Sequence, residues 1–115
     1  MGLDISFYKN TEIGYFRKVN FLVAFFEKYG LNVSEQTPLV VKKEWVEELL
    51  DRCNKVLEDN GKASELLPTM EGFFFGSVDY DESYFNDVEQ VKEYIEDRLL
   101  KEFDDFEVIS FEISY

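Results

Sequence analysis

The chain has no histidine, one cysteine, two prolines and six glycines in 115 residues. Without histidine there is no imidazole to work as a general base near neutral pH, and no His-bearing zinc site. Ser6, Ser77 and Ser83 therefore lack the partner that would activate a serine nucleophile. Cys53 stands alone, which excludes an internal disulfide and predicts a reducing, cytoplasmic setting. Long apolar runs are missing too. The longest is Phe21–Phe26, far short of the ~20 residues that span a bilayer. The start, Met1-Gly2-Leu3-Asp4, has neither the basic flank nor the apolar stretch of a signal peptide. Basic residues are scarce as well: 12 Lys+Arg stand against 25 Asp+Glu, for a net charge of -13. Such a chain cannot neutralise a row of phosphates, so direct nucleic-acid binding is excluded as a default.

Aromatic residues are plentiful. Twelve Phe and seven Tyr bring the aromatic content to 17%, and 45% of the chain is hydrophobic. That is too apolar for a disordered acidic tail, and it predicts one compact domain over residues 1–115. The charge is uneven. Residues 1–70 hold 11 acids and 9 bases, a net of -2, whereas residues 71–115 hold 14 acids and 3 bases, a net of -11. The acidity belongs to the C-terminal segment, as on a surface that meets a basic partner.

Period-two alternation of Leu3, Ile5 and Phe7 predicts a strand over Leu3–Phe7, and a second lies over Val108–Ser114. Asn10–Gly14 reads as a turn. Tyr15–Tyr29 then reads as a helix, with Gly30 as its C′ residue. Leu39–Val41 reads as a short strand. Lys43–Leu57 carries one apolar face that includes Cys53, which predicts a helix with the thiol in the core. Ala63–Leu67 reads as a helical turn, and Gly72–Gly76, with three consecutive Phe, as a buried strand or a tight loop crossing the core. The last helix runs from Tyr84 through Leu100 to about Phe103. The fold expectation is α+β: a small antiparallel sheet formed by the terminal strands, with three main helices packed on one face.

Chemistry-bearing patterns are few. Asp79-Tyr80-Asp81-Glu82-Ser83 begins like a calcium loop, but Tyr84 and Gln90 occupy the positions that need Gly and Glu. Gly72 and Gly76 lack the Lys-Ser/Thr ending of a phosphate loop. No catalytic residue, cofactor or metal is expected. Arg17 and Asn20, read on a helix, would be neighbours suited to an anion. On the last helix Glu89, Glu93, Glu96 and Asp97 fall within about 100° of one another, opposite Val88, Ile95 and Leu99. They give about one charge per 4 Å at ~1.5 Å rise per residue, close to the ~3.4 Å phosphate spacing of a DNA strand. Asp104 and Asp105 extend the run.

Three segments carry a resemblance: Gly2-Leu3-Asp4, Gly14-Tyr15-Phe16-Arg17-Lys18-Val19-Asn20, and Leu66 to Tyr84, which reads LLPTMEGFFFGSVDYDESY. They resemble a family of small phage and prophage proteins with the motifs GLD, GYWRKAN and LLPTxxGFFFGSxxYDExY. Phe16 stands where that pattern has Trp, and Val19 where it has Ala. Some members carry a phosphoglycerate kinase label, which a chain of this length is too short to justify. The resemblance implies a phage or mobile-element origin and a bacterial host. It marks Arg17, Lys18, Asn20, Thr69, Ser77, Asp81 and Tyr84 as polar motif residues. Two functions follow as expectations. In the first, a non-enzymatic acidic accessory protein binds and blocks a basic host protein, such as a CRISPR-associated nuclease, by nucleic-acid mimicry through Glu89, Glu93, Glu96, Asp97, Asp104 and Asp105. In the second, the seven motif residues form a pocket that sequesters a nucleotide or signalling molecule.

Overall fold

The computed structural model describes residues 2–72, 74–104 and 106–115. In chain order its elements are β1 (Asp4–Lys9), β2 (Thr11–Arg17), α1 (Asn20–Glu27), β3 (Leu39–Val41), α2 (Lys43–Glu58), α3 (Ala63–Leu66), α4 (Glu82–Asp97) and β4 (Ile109–Ser114). Tighter 3-10 turns cover Asn60–Lys62 and Leu99–Glu102. The four strands form one antiparallel sheet in the order β2-β1-β4-β3. The terminal strands are thus the central pair of an α+β domain.

Alternation divides the sheet into two faces. Ile5 pairs with Ile113 and Phe7 with Phe111, and all four are buried. Val41 and Ile109 continue this inner face. The Phe111 ring lies 5.3 Å from Phe7 and 4.4 Å from Phe26 of α1. Burying each such ring contributes about 1.5–3 kcal/mol. α2 turns Val46, Leu49, Cys53 and Val56 inward, and α4 turns Tyr84, Val88, Val91 and Ile95. The two helices pack on each other. Cys53 is fully buried, and burial pushes its thiol pKa up to about 12.

Asp4, Ser6 and Tyr8 of β1 alternate to the opposite face, with Glu112 and Ser114 of β4 beside the same hollow. Their strand neighbours Glu12, Tyr15, Ser110 and Val40 follow by register.

Gly30 is where the sequence placed it. Its φ is +105°, the Leu31 N–H donates to the Phe26 C=O (3.2 Å) and the Gly30 N–H to the Glu27 C=O (3.0 Å). That pair of bonds closes the C-terminal carbonyls of α1, and buried Leu31 seals the end.

The start of α1 corrects the sequence reading. Tyr15, Phe16 and Arg17 are strand, not helix, and only Asn10 of the expected turn stays outside the strands, at φ +65°. Pairing with β1 decides this: Ile5 faces Phe16 and Ser6 faces Tyr15. Strand propensity is mostly the fit to such neighbours. Phe16 packs edge-on against Tyr94 (5.4 Å). Tyr94 also explains Gly14, where an added Cβ would lie 2.3 Å from the phenol.

The last helix also differs from expectation. It begins at Glu82, because Asp81 accepts a hydrogen bond from the Tyr84 N–H (3.1 Å) and caps it. It breaks at Arg98 (φ -132°, ψ -61°) and continues as the turn Leu99–Glu102. Of the three adjacent Phe, Phe75 is buried and Phe74 is 40% exposed, and Phe73 lies outside the described residues. The segment is a tight loop: the Phe75 N–H donates to the Gly72 C=O (3.0 Å), and the Phe75 ring covers Gly72.

Candidate functional site

The three motif segments, far apart in sequence, are knitted together in space. The Leu3 N–H donates to the Phe74 C=O (2.9 Å), and the Lys18 N–H donates to the Leu3 C=O (2.8 Å). Asn20, at the start of α1, is 3% exposed. Its Nδ2 donates to the carbonyls of Phe75 and Ser77, both at 3.0 Å, and its Oδ1 accepts from the Met70 N–H at 3.0 Å. One amide therefore holds both ends of the 70–77 loop. Thr69 Oγ1 donates to the Val78 C=O (2.9 Å), and the Tyr84 hydroxyl donates to the Leu67 C=O (2.8 Å). Ser77 Oγ accepts from the Asp79 N–H (3.0 Å).

These contacts wall a cleft of about 270 Å³ between the β2–α1 corner, the loop after Gly76 and the start of α4. All seven motif residues marked in the sequence line it: Arg17, Lys18, Asn20, Thr69, Ser77, Asp81 and Tyr84. They do not share one role. Asn20, Thr69 and Tyr84 have their polar atoms engaged with backbone and build the wall. Burial raises the Tyr84 phenol well above its ordinary pKa, so it stays a neutral hydrogen-bond donor. Asp81 caps α4 with one carboxylate oxygen.

Arg17 and Lys18 are different. Arg17 ends β2, and Lys18 has the left-handed backbone φ of +59° that turns the chain into α1. Both side chains are exposed, and no ion pair involves either among the described residues. Arg17 is therefore a strand-end residue and Lys18 a corner residue, and only Asn20 lies on α1, so Arg17 and Asn20 are not the neighbours on one helix face that the sequence suggested. The stem of Lys18 rests on Gly76, where φ is +88° and an added Cβ would lie 3.1 Å from the Lys18 Cβ. Facing these cations across the same cleft are Asp79, Asp81 and Asp87. Desolvation, with the Asp81 charge second, raises the Asp87 carboxyl pKa. Sequence reasoning missed Asp87 and gave Ser83 no site role. Their signal is helical spacing: both lie three to four positions from one another or from Tyr84 on α4, which places them on one face.

The acidic face of α4 is a separate surface. Glu89, Glu93, Glu96 and Asp97 are all exposed, turned away from buried Val88, Ile95 and Leu99. Glu96 pairs with Lys92 at 3.3 Å. Asp104 lies beyond α4 and is exposed, with its carboxylate engaged within the fold. Asp104 is tied to Lys9 (2.8 Å) and accepts the N–H groups of Phe106 and Glu107 (2.9 and 3.0 Å). The Lys9 hydrogen bond, then the two backbone ones, hold its pKa down to about 2. Asp105 lies outside the described residues.

Among the described residues no group of three Asp, Glu or Cys side chains is placed to hold a metal ion, and no helix is long and apolar enough to cross a membrane. No protein-family model, curated protein or solved structure matches the chain.

Proposed function

We propose that the protein is a non-enzymatic binding module whose ligand occupies the cleft between Arg17, Lys18 and the start of α4. One observation carries this reading. Two cations and three carboxylates line one cleft, yet no ion pair joins them among the described residues. A ligand that fits has an anionic group for Arg17 and Lys18, and donor groups, as on an amine or a nucleobase edge, for Asp79, Asp81 and Asp87. Charge-assisted hydrogen bonds of this kind are the strong ones. The volume of about 270 Å³ lies just below the ~300–1,000 Å³ of drug-sized sites. The ligand is therefore metabolite-sized, and a nucleotide or small signalling molecule meets both conditions. In the phage setting that the sequence resemblance implies, such a module sequesters a host signal.

The test is calorimetric titration with mononucleotides, phosphoamino acids and inorganic phosphate. A bipolar ligand binds to wild type, and Arg17→Ala weakens it about tenfold or more, a loss of at least ~1.4 kcal/mol. Inorganic phosphate alone binds more weakly. Failure of every bipolar ligand to bind above the level of phosphate overturns the reading.

A second reading is favoured by one observation on α4: Glu89, Glu93 and Asp97 are exposed without an ion pair among the described residues. They suit a basic groove of a host protein, such as a CRISPR-associated nuclease, by nucleic-acid mimicry. Reversing Glu93 and Glu96 to Lys would then lower affinity for a captured partner, most steeply at low salt. Unchanged affinity would remove this reading.

A further inference from the structure

We propose that the open face of the sheet is a docking surface for an extended, arginine- or lysine-bearing segment of a partner protein. The register sets out the surface. One cross-strand row runs Glu12, Tyr8, Ser110 and Val40; the next runs Tyr15, Ser6 and Glu112; a third runs Arg17, Asp4 and Ser114. Several of its side chains are open to solvent. Tyr15 is 50% exposed and Val40 55%. Val108, just before β4, is 67% exposed. A hollow of about 210 Å³ opens between Asp4, Ser6, Tyr8 and Glu112.

The charge on this face is unbalanced, and its carboxylates are held ready. Asp4 accepts a hydrogen bond from the Tyr15 hydroxyl, Glu12 from Ser6 Oγ (2.5 Å) and Glu112 from Ser110 Oγ (3.2 Å). A hydroxyl orients a carboxylate and leaves its charge in place. No cation forms an ion pair with any of the three among the described residues. Arg17 is the one cation on the three rows, at their far end beside the cleft.

Three oriented carboxylates interleaved with two tyrosine rings match the chemistry of a guanidinium or ammonium group, which takes both ion pairs and the π face. Val40 offers apolar contact to an alternate side chain of the same extended segment. Glu89, Glu93, Glu96 and Asp97 of α4 have no aromatic ring among them, and Lys92 already pairs with Glu96, whereas the residues that anchor interfaces are enriched in Trp, Tyr and Arg in desolvated patches. A second copy of this chain is a poor occupant, because a two-fold interface would set the same acidic rows against each other.

The test uses the full chain and a fluorescently labelled synthetic peptide of alternating Arg and Val, with a Glu and Val peptide as counterpart. Fluorescence anisotropy is read at low and high salt. The Arg peptide binds and weakens with salt, and the Glu peptide does not bind. The double variant Glu12→Gln/Glu112→Gln weakens binding by about tenfold, and Tyr15→Ala weakens it too. The variant Glu89→Gln/Glu93→Gln on α4 leaves it nearly unchanged. Denaturation midpoints show that each variant is folded, and the glutamines keep the shape and hydrogen-bonding oxygen of the originals. Three results overturn the proposal: no binding of the Arg peptide, loss on the α4 variant with retention on the sheet variants, or a dimer that buries Tyr15 in sedimentation and cross-linking. Arg17→Ala, which tests the cleft, is a separate variant, so the two sites fail independently.

Discussion

Replacing Asn20 with alanine removes three hydrogen bonds in one step. The Phe75 and Ser77 carbonyls lose a donor, and the Met70 N–H loses an acceptor. A typical protein hydrogen bond contributes a net ~0.5–1.5 kcal/mol, and a buried group left without a partner costs about 1–3 kcal/mol. The bond to Phe75 is buried, while those to Ser77 and Met70 are partly buried, where water can reach. One loss at the upper end and two at the lower give about 2.5–5 kcal/mol. That is a large part of the 5–15 kcal/mol by which domains are stable. The assay is urea denaturation, with the loss read from the midpoint at unchanged slope. Asn20→Asp sharpens the test. It keeps the accepting oxygen but turns a second carboxylate oxygen toward two carbonyls, so at neutral pH it costs more than alanine. Burial beside two carbonyls raises that carboxyl's pKa, so its excess cost shrinks as pH falls toward the ordinary carboxylate value and is gone below it, where a protonated Asp donates one bond. If Asn20→Ala stays within about 0.5 kcal/mol of wild type, the size of a surface substitution, the amide does not hold the loop.

Two further outcomes follow from packing and charge. The Tyr94 hydroxyl is buried with no hydrogen-bond partner among the described residues, and desolvation pushes its pKa up to about 12; Tyr94→Phe is therefore expected to raise stability by about 1–2 kcal/mol, and a lowered denaturation midpoint would count against this. The Asp104 pKa is depressed to about 2 from its ordinary 3.8 by Lys9 and two backbone N–H groups. A depressed carboxylate stabilises the fold above its unfolded pKa, and that contribution fades as pH falls from the ordinary value toward about 2. Lys9→Met should flatten this part of the stability profile, and identical acid profiles for the two proteins would count against it.

Much of the framework was legible because burial on one side leaves a period. Leu3, Ile5 and Phe7 alternate, and so do Ile109, Phe111 and Ile113; these became the two central strands. The stripe through Val46, Leu49, Cys53 and Val56 became α2. Tyr15–Arg17 was not legible, because Phe16 fits either a helical stripe or an alternating strand. Its conformation is decided by β1, which lies beside it only after the hairpin closes. The cleft was half legible. Seven of its lining residues were named and Asp87 was not, and polarity alone did not separate Asn20, a buried clamp, from Arg17, an exposed cation. That distinction depends on the 70–77 loop, some fifty positions away in the chain. The engagement of Asp104 was invisible for the same reason, since Lys9 lies at the other end of the sequence.

The central pairing of β1 with β4 also dictates an order of events. Phe7 meets Phe111 across about a hundred intervening residues. Closing a loop of that length costs roughly (3/2)RT ln n, on the order of 4 kcal/mol. The β1–β2 hairpin is local and can close at once. Its inner edge, however, waits for β4, which leaves the ribosome after every other element of the sheet. Until then Ile5 and Phe7 sit beside an unpaired strand edge, the arrangement that recruits stray strands from other chains. The same topology makes assembly slow compared with a helical bundle of equal size, and it leaves the nascent chain most prone to aggregation just before β4 arrives.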